Sequence, residues 1–305
     1  MRLAVVIPNW NGSTVLKDCL SGLASLRDQA RVVVVDNGST DDSRRLLREE
    51  FQWVTTIQST ENQGYARANN LGWRSTTEPL VLFLNNDTIS NAEAIRKIAD
   101  FLDEHPETGI AGPYLRLPNG ESQVGAAGWE LTQLSSLHNQ LLLHRMVPGM
   151  GKPFYLHQSA FAGRGPMRVD WVSGAAMMVR REVLEKTGGM PDQYFMYAED
   201  LDFCSRARKA GFGVSYLPFV DITHLHGASG ESEGVNTKWI ESTIKYYRCS
   251  HGAIATATLA LGFALGAFLR WLMTIPLWLS HPGKAREKSR QYAAYAVASL
   301  RAMIG

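Results

Sequence analysis

The chain has 305 residues, 45% hydrophobic and 20% charged, with a formal net charge of +2; that length suits one large α/β domain with an appendage, or two small domains. The composition is that of a folded globular chain, and the near-neutral charge excludes a whole-molecule field for nucleic acid, leaving any basic surface local. Cys19, Cys204 and Cys249 are widely spaced with no CxxC pair, which excludes a zinc knuckle and a disulfide framework and favours a reduced, cytosolic setting.

The opening MRLAVVIPNW reads as a buried strand rather than a signal peptide, because its apolar run meets Pro8 and Asn9 almost at once. From there to residue 112, strand and helix patterns alternate. The runs LAVVI (3–7), RVVVVD (31–36), VTTI (54–57), PLVLFL (79–84) and GIAG (109–112) are apolar and β-branched, as strands covered on both faces require. Val15, Leu16, Cys19, Leu20, Leu23 and Leu26 repeat at helical spacing, with Ser13 or Thr14 placed as N-cap. A second helix starts near Asp41, with Asp42 and Ser43 in its first turn. A third covers Tyr65 to Arg74, and a fourth Ala92 to Glu104. This order predicts a parallel sheet with right-handed crossovers.

Residues 113–170 are rich in Gly, Pro, Gln and His with poor periodicity, and read as a long excursion that shapes a substrate site or a lid. Order returns at 170–184 with a strand and a helix. Another helix spans 198–211, ending at Gly211, and strands follow at 214–217 and 220–224. Residues 253–279 are nearly all apolar, with Arg270 the only charge. A run of roughly 20 apolar residues can span a bilayer. Arg270 and Pro276 argue against one clean span, and two shorter interfacial helices fit as well, as does a helical pair packed on the domain. Lys284, Arg286, Lys288 and Arg290, with one Glu287, suit an anionic cytoplasmic leaflet. The reading divides the chain into 1–235, with halves 1–112 and 113–235, and a helical region 236–305.

In a parallel sheet, ligands bind beyond the carboxyl ends of the strands. PNWNG (8–12), DNGSTDDS (36–43) and NNDT (85–88) each follow such an end. Singly they are ordinary turn sequences; three in register point to one crevice. Asp36 ends its strand facing that crevice, where a carboxylate accepts from a ribose or a base N–H, or else serves the next helix. In NQGYARANNLG (62–72), the Gly64 turn and small Ala66 and Ala68 admit a flat ligand, or equally a tight helix–sheet contact. Asn62 and Asn70 can donate and accept at a base edge. Asp87 is the metal candidate of the first half, since a cation on a diphosphate needs only one or two protein carboxylates. Asn85 or Asn86 would orient it or a ribose hydroxyl. Glu199, Asp200 and Asp202 crowd a helix start, which raises the pKa of one member and suits a general base; favourable helix-dipole electrostatics is the plainer account. His224 and His226 end a strand and could complete a metal shell.

With these clusters in order, the chain resembles the family 2 glycosyltransferases, in particular the bacterial rhamnosyltransferase-like branch. The matching strings are VVIPNWNG, VVVDNGSTDDS, NQGYARANNLG, LVLFLNNDT, WVSGAAMMVRREV, YAEDLDFCSRARKAGF and HLHGAS, spread over residues 3 to 229. The resemblance implies a GT-A fold, a Rossmann-like α/β sandwich, here with a helical, membrane-associating C-terminal appendage. It implies a nucleoside-diphosphate sugar donor, a divalent metal (Mg2+ or Mn2+) and inversion at the anomeric carbon. Carried over by position, Pro8, Asn9, Asp36 and Asn62 line the nucleoside pocket; Asn11, Gly64, Asn70, Asn85 and Asn86 are further donor-binding candidates. Asp87 matches the last Asp of the family's DxD, with Asn85 standing for the first. His224 is the implied second metal ligand, and Asp200 the base, with Glu199 as rival. Trp171, Ser173 and Gly174 flank the acceptor, a glycan or lipid-linked oligosaccharide of the cell envelope. Arg248 and His251 either touch the diphosphate or face a membrane. The implied location is the cytoplasmic face of the plasma membrane, peripheral or anchored.

Three rival readings carry less. A nucleotidyltransferase needs a basic Gly-rich loop after the first strand, and PNWNG has no Lys or Arg. A dinucleotide oxidoreductase needs GxGxxG there. An inactive membrane-bound scaffold does not explain Asp87, Asp200 and His224 together.

Overall fold

The computed structural model describes residues 1–141, 154–225 and 235–304. The chain divides into two compact units, the first holding 1–128, 155–195 and 199–231, the second 129–154, 196–198 and 232–305. Residues 129–141 and 154, which fall within 113–235 in the reading from sequence, cluster with the C-terminal helices.

The first unit opens with β1 (Leu3–Asn9), α1 (Ser13–Leu23), β2 (Ala30–Asp36), α2 (Ser43–Glu50), β3 (Thr55–Gln58), α3 (Tyr65–Arg74) and β4 (Leu80–Leu84). It continues with β5 (Thr88–Ile89), α4 (Ala92–Glu104), β6 (Thr108–Arg116) and β7 (Ala127–Gly128), then β8 (Met167–Arg168), β9 (Trp171–Val172) and β10 (Ala176–Arg180). It ends with α6 (Arg181–Thr187), α7 (Glu199–Lys209) and β11 (Gly213–His224); α5 (Gln133–Gln140) belongs to the second unit. Among the described residues a nine-stranded sheet runs in the order β3-β2-β1-β4-β10-β6-β11-β5, with β8 beside β11.

The central strands are uninterrupted apolar runs because both faces are covered. Val5, Ile7, Val32 and Val34 lie in one core cluster with Leu16, Leu20 and Leu23 of α1, each such side chain contributing about 1.5–3 kcal/mol on burial. On the other face α3 lies so close that a Cβ on Gly72 would stand 2.3 Å from Val6 Cγ1 and 3.2 Å from Val35 Cγ2. The small residues of α3 therefore serve packing: Ala66 and Ala68 are buried and do not form a platform for a flat ligand.

Four expectations need correction. The sheet is mixed, because β10 runs antiparallel to both β4 and β6. The fifth strand extends well past GIAG, to Arg116. The two short strands after α7 are one, β11, with a register shift between Leu217 and Asp221. Neither Ser13 nor Thr14 caps α1: Ser13 is its first residue, and Ser13 N–H donates to Asp41 Oδ2 at 2.9 Å. The other oxygen of Asp41 accepts from Ser43 N–H at 3.1 Å, so one carboxylate serves two helix starts. Burial alone would raise its pKa, but the bonds from Ser43 and Ser13 outweigh that and hold it below the usual carboxylate range.

The second unit holds α5, α8 (Lys238–Leu272), α9 (Leu277–Ser280) and α10 (Pro282–Ile304). Gly252, at φ 78 and ψ 176, breaks α8 into two helices. Trp239 of α8 meets Tyr295 of α10 edge-on at 5.5 Å. Arg248 Nη2 donates to the carbonyls of Ala302 and Met303 at 2.7 and 2.9 Å, a cation at a helix C-terminus. His251 stacks on Tyr247 at 4.0 Å.

Candidate active site

The topology brings the polar clusters to one edge. β1, β2 and β4 are parallel neighbours, so their carboxyl ends adjoin. Because β10 is antiparallel to β4, its start lies at the same edge: Ala176 pairs Leu84, and Asn85 N–H donates to Ala175 O at 2.9 Å. β11 runs parallel to β6, and its last residue, His224, pairs Thr88.

Several of the asparagines tie these loops together. Asn86 Nδ2 donates to Asn9 Oδ1 at 2.7 Å, and Asn9 Nδ2 to Ser39 Oγ at 3.3 Å. Asn11, left-handed at φ 49, accepts from Thr40 N–H at 2.8 Å. Asn62 Oδ1 accepts from Asn37 Nδ2 and Gly64 N–H. Gly64 has φ 88 and its Cβ would meet Phe195 O at 2.5 Å, so no side chain fits there. Pro8 pairs Val35 in the sheet. Asn70 corrects the expectation of a base-edge contact: its Nδ2 donates to Met190 O, and its Oδ1 accepts from Met190 N–H and Trp73 Nε1. That amide is occupied within the protein.

Asp36 is fully buried and paired with Arg44 Nε at 2.5 Å through Oδ2. Its Oδ1 has no partner, and a buried carboxylate oxygen without a donor is costly unless a ligand supplies one.

Asp87 and His224, with relative exposures of 3% and 6%, form the core of the metal candidate. His224 Nδ1 faces Gln123 Oε1 at 2.7 Å. An amide oxygen only accepts, so Nδ1 carries a proton. Nε2 stands 3.3 Å from Asn85 Nδ2 and 3.0 Å from Asp87 Oδ1, and a cation bound between ring and carboxylate would take its lone pair. Adjacent ligands of an octahedral cation held at about 2.1 Å stand about 3.0 Å apart. The pair fits such an ion. Among the described residues no group of three or more His, Cys, Asp or Glu side chains could hold a metal, so phosphate and water would fill the remaining positions. His226 lies outside the described residues.

Glu199 and Asp200 open α7. Tyr197 and Ala198, both left-handed without being glycine (φ 68 and 67), precede them directly. Asp200 Oδ2 accepts from Gly174 N–H at 3.1 Å and Oδ1 from Leu201 N–H at 2.8 Å. Glu199 Oε2 is buried without a partner. Burial first, and then the charge of Asp200, push the Glu199 carboxyl up to about 8. Burial also raises Asp200, against the lowering effect of its backbone N–H bonds. A close carboxyl pair of this kind holds one negative charge near neutral pH, and the two backbone donors put it on Asp200. Asp202 is engaged elsewhere, pairing with Arg206 and accepting from Tyr194 and Gln193.

Tyr65 joins the two parts. Its hydroxyl donates to Gly174 O at 2.6 Å. Burial first, then the charges of Glu199, Asp200 and Asp87, hold its pKa well above 10, so it stays a donor. Ser173 Oγ accepts from Ala175 N–H, and Trp171 is buried edge-on to Tyr155 at 6.0 Å. Gly174 thus reaches Asp200 directly, whereas Trp171 supports from the core. Sequence reasoning missed Gln123, Tyr65 and Arg44. Tyr65 lay within a quoted motif; Gln123 sits in an aperiodic stretch with no local signal.

Fold and site together define a glycosyltransferase of the GT-A class. The solved mannosyltransferase PcManGT from Pyrobaculum calidifontis, in complex with GDP-Man and Mn2+, superposes at TM-score 0.58 and 19% identity over 99% of this chain and 87% of that one. At that identity the likeness shows the fold. The model of Glycosyl transferase family 2 matches residues 4–188, and the chain belongs to that family. The rhamnosyltransferase WbbL of Escherichia coli is 35% identical over 253 residues, 79% of this chain and 91% of that protein. The N-acetylglucosaminyl-diphospho-decaprenol L-rhamnosyltransferase of Mycobacterium tuberculosis is 27% identical, over 73% of this chain and 75% of that one. The low-salt glycan biosynthesis hexosyltransferase Agl10 of Haloferax volcanii is 28% identical, over 73% of this chain and 66% of that one. The protein is a rhamnosyltransferase-like family 2 glycosyltransferase.

Proposed function

We propose that the protein transfers a sugar, rhamnose in the first instance, from a nucleoside diphosphate to a hydroxyl of a lipid-linked glycan, with inversion at the anomeric carbon. The observation that carries this reading is the approach of Asp87 Oδ1 to His224 Nε2 at 3.0 Å, at the sheet edge where Asp200 is held by Gly174. The names of the relatives support the sugar and the acceptor class.

The orphaned Oδ1 of Asp36 accepts from the nucleoside, while Asn9, Asn11, Asn62 and Asn86 keep that pocket's loops in place. Asp87 and His224 would hold a divalent cation, Mg2+ or Mn2+, which when bound would neutralise charge on the diphosphate as a Lewis acid. Asp200, the charged member of its pair, takes the proton of the acceptor hydroxyl. The acceptor oxygen then bonds to the anomeric carbon as the bond from that carbon to the diphosphate oxygen breaks. The electron pair leaves with the nucleoside diphosphate on the opposite face. Glu199, kept neutral by burial, leaves the charge to Asp200. The acceptor side draws on Gly174 and Ser173. A lipid-linked acceptor puts the enzyme at a membrane surface, and we read the second unit as the part that holds it there.

The test is a thermal-shift screen of dTDP-rhamnose, UDP-GlcNAc and GDP-mannose with and without Mn2+, since a ligand bound to the native state raises Tm. Metal-dependent stabilisation by one of them is expected, with dTDP-rhamnose first. No stabilisation by any nucleotide sugar in the presence of Mn2+ overturns the reading.

A further inference from the structure

We infer that the second unit docks on an anionic phospholipid surface through one face of α8 and the segment 275–279 that runs into α9, lying in the interface rather than crossing the bilayer. This deepens the membrane part of the function proposed above and rests on it.

By length and composition α8 is the one helix among the described residues that could cross a membrane. Its burial pattern points elsewhere. Leu259, Ala260, Phe263 and Ala267 are buried, whereas Leu261, Leu265, Phe268 and Leu272 are exposed. The exposed set recurs every three or four residues and so forms one stripe. The covered face meets polar company. A Cβ on Gly266 would stand 2.7 Å from the Gln140 side chain, and Arg270 Nη1 donates to Gln140 O at 2.7 Å. Off that face, Gln133 Nε2 donates to Oγ1 of the exposed Thr258 at 2.7 Å. A crossing α8 would carry these amides and the guanidinium into hydrocarbon, where polar groups are expensive. A helix at the interface leaves them on the protein side and gives the stripe to the acyl boundary.

The chain beyond α8 names the occupant. Ile275, Trp278 and Leu279 are exposed, Leu279 to 94%. Thr274 Oγ1 meets Ser289 Oγ at 2.8 Å, which brings the basic turn of α10 beside this apolar end. Lys284, Arg286, Lys288 and Arg290 are all exposed there, and Glu287 is the one acid in residues 253–304. Apolar side chains, an interfacial tryptophan and a basic cluster match anionic headgroups over an acyl boundary. The same segment of a second copy, with Glu287 its one acid, offers no acidic surface to match the basic cluster.

The test is co-sedimentation of the full chain with vesicles of phosphatidylcholine alone or mixed with phosphatidylglycerol. We expect binding to the mixed vesicles that weakens with salt and is lost on alkaline carbonate extraction. Leu265→Glu with Leu279→Glu should lower partitioning by about tenfold or more. Arg286→Glu with Arg290→Glu, at exposed positions that do not disturb packing, should abolish the preference for anionic lipid. Both variants keep wild-type thermal shifts with nucleotide sugar, which separates failure of docking from failure of the enzymatic reading. Wild type left in the supernatant with mixed vesicles overturns the proposal. So does bound protein that resists carbonate, the mark of a spanning helix, or a lipid-free dimer that Leu265→Glu with Leu279→Glu dissociates.

Discussion

Asp87 and His224 are 137 residues apart in the chain and 3.0 Å apart in space. The contact exists because β5 and β11 pair antiparallel, with Thr88 opposite His224. The ring is oriented from behind by Gln123, at 2.7 Å from Nδ1. An outer partner of that kind sets both the tautomer and the ring plane of a metal-binding histidine. Gln123→Leu should therefore weaken Mn2+ binding in the presence of nucleoside diphosphate by about 10–100-fold, while Gln123→Glu, still an acceptor, recovers most of it. Calorimetric titration with Mn2+ reads both. Unchanged affinity in Gln123→Leu removes His224 from the metal shell.

Asp200 and Glu199 differ in their donors. Asp200 receives two backbone N–H bonds, whereas Glu199 Oε2 has none. A base must be anionic to take a proton, so the roles divide. Asp200→Asn should lose at least about 100-fold in kcat while still binding donor, and Glu199→Gln, which mimics the neutral acid, should stay within about tenfold of wild type. If Glu199→Gln is the more damaging change, the base is Glu199.

The same pair makes stability depend on pH. Burial and the neighbouring charge raise Glu199 from the ordinary 4.5 to about 8. An unfolded chain releases this proton once pH passes 4.5, whereas the native chain keeps it until about 8. The native state therefore binds more protons in that window. The contribution is full below the unfolded value and is lost as pH rises through the folded one. Wild type should show a falling Tm across this range in differential scanning fluorimetry, and Glu199→Gln, which cannot ionise, a flatter curve. Parallel curves for the two proteins would mean that Glu199 is not held protonated.

Much of this architecture is legible in the sequence because it is local. The bounds of α3 and α4 follow from helical spacing and match the structure at both ends. The β-branched runs of β1, β2 and β4 announce strands covered on both faces. What could not be read depends on distant pairing. Nothing in AMMVR distinguishes a parallel from an antiparallel β10; its direction comes from where the chain re-enters beside β4. The start of α1 misleads because its capping carboxylate, Asp41, is 28 residues away. Among the site residues, Asp87, His224 and Asp200 lie in motifs, whereas Gln123 acquires meaning only through its contact. Asn70 looked like a ligand because an amide reads the same whether it meets a base or the backbone of Met190.

Gly72 sets two effects of opposite sign against each other. Replacing a mid-helix glycine by alanine ordinarily stabilises by about 1 kcal/mol. Here the new methyl would stand 2.3 Å from Val6 Cγ1 in β1 and 3.2 Å from Val35 Cγ2 in β2. Both partners sit in central strands that cannot retreat cheaply, and overpacking of this kind costs about 1–3 kcal/mol. Gly72→Ala should therefore lower Tm. A rise would mean that α3 can lift from the sheet at no cost.

Tyr65 offers the sharpest test of how the base is held. Its hydroxyl donates to the carbonyl of Gly174 at 2.6 Å, and the amide of the same residue donates to Asp200 at 3.1 Å. The phenol never touches Asp200 in this chain of bonds; it fixes the peptide that does. Tyr65→Phe keeps the ring and removes one hydrogen bond, a change of about 0.5–1.5 kcal/mol, so kcat should fall by about tenfold or less. Donor KM should hold, since the donor pocket is tied by other residues. The N–H bond from Gly174 lowers the pKa of Asp200, so slackening it raises that pKa. The acid limb of the pH–rate profile should then move to higher pH. A packing defect alone would lower Tm and leave that limb in place, and such a result would strip Tyr65 of its positioning role.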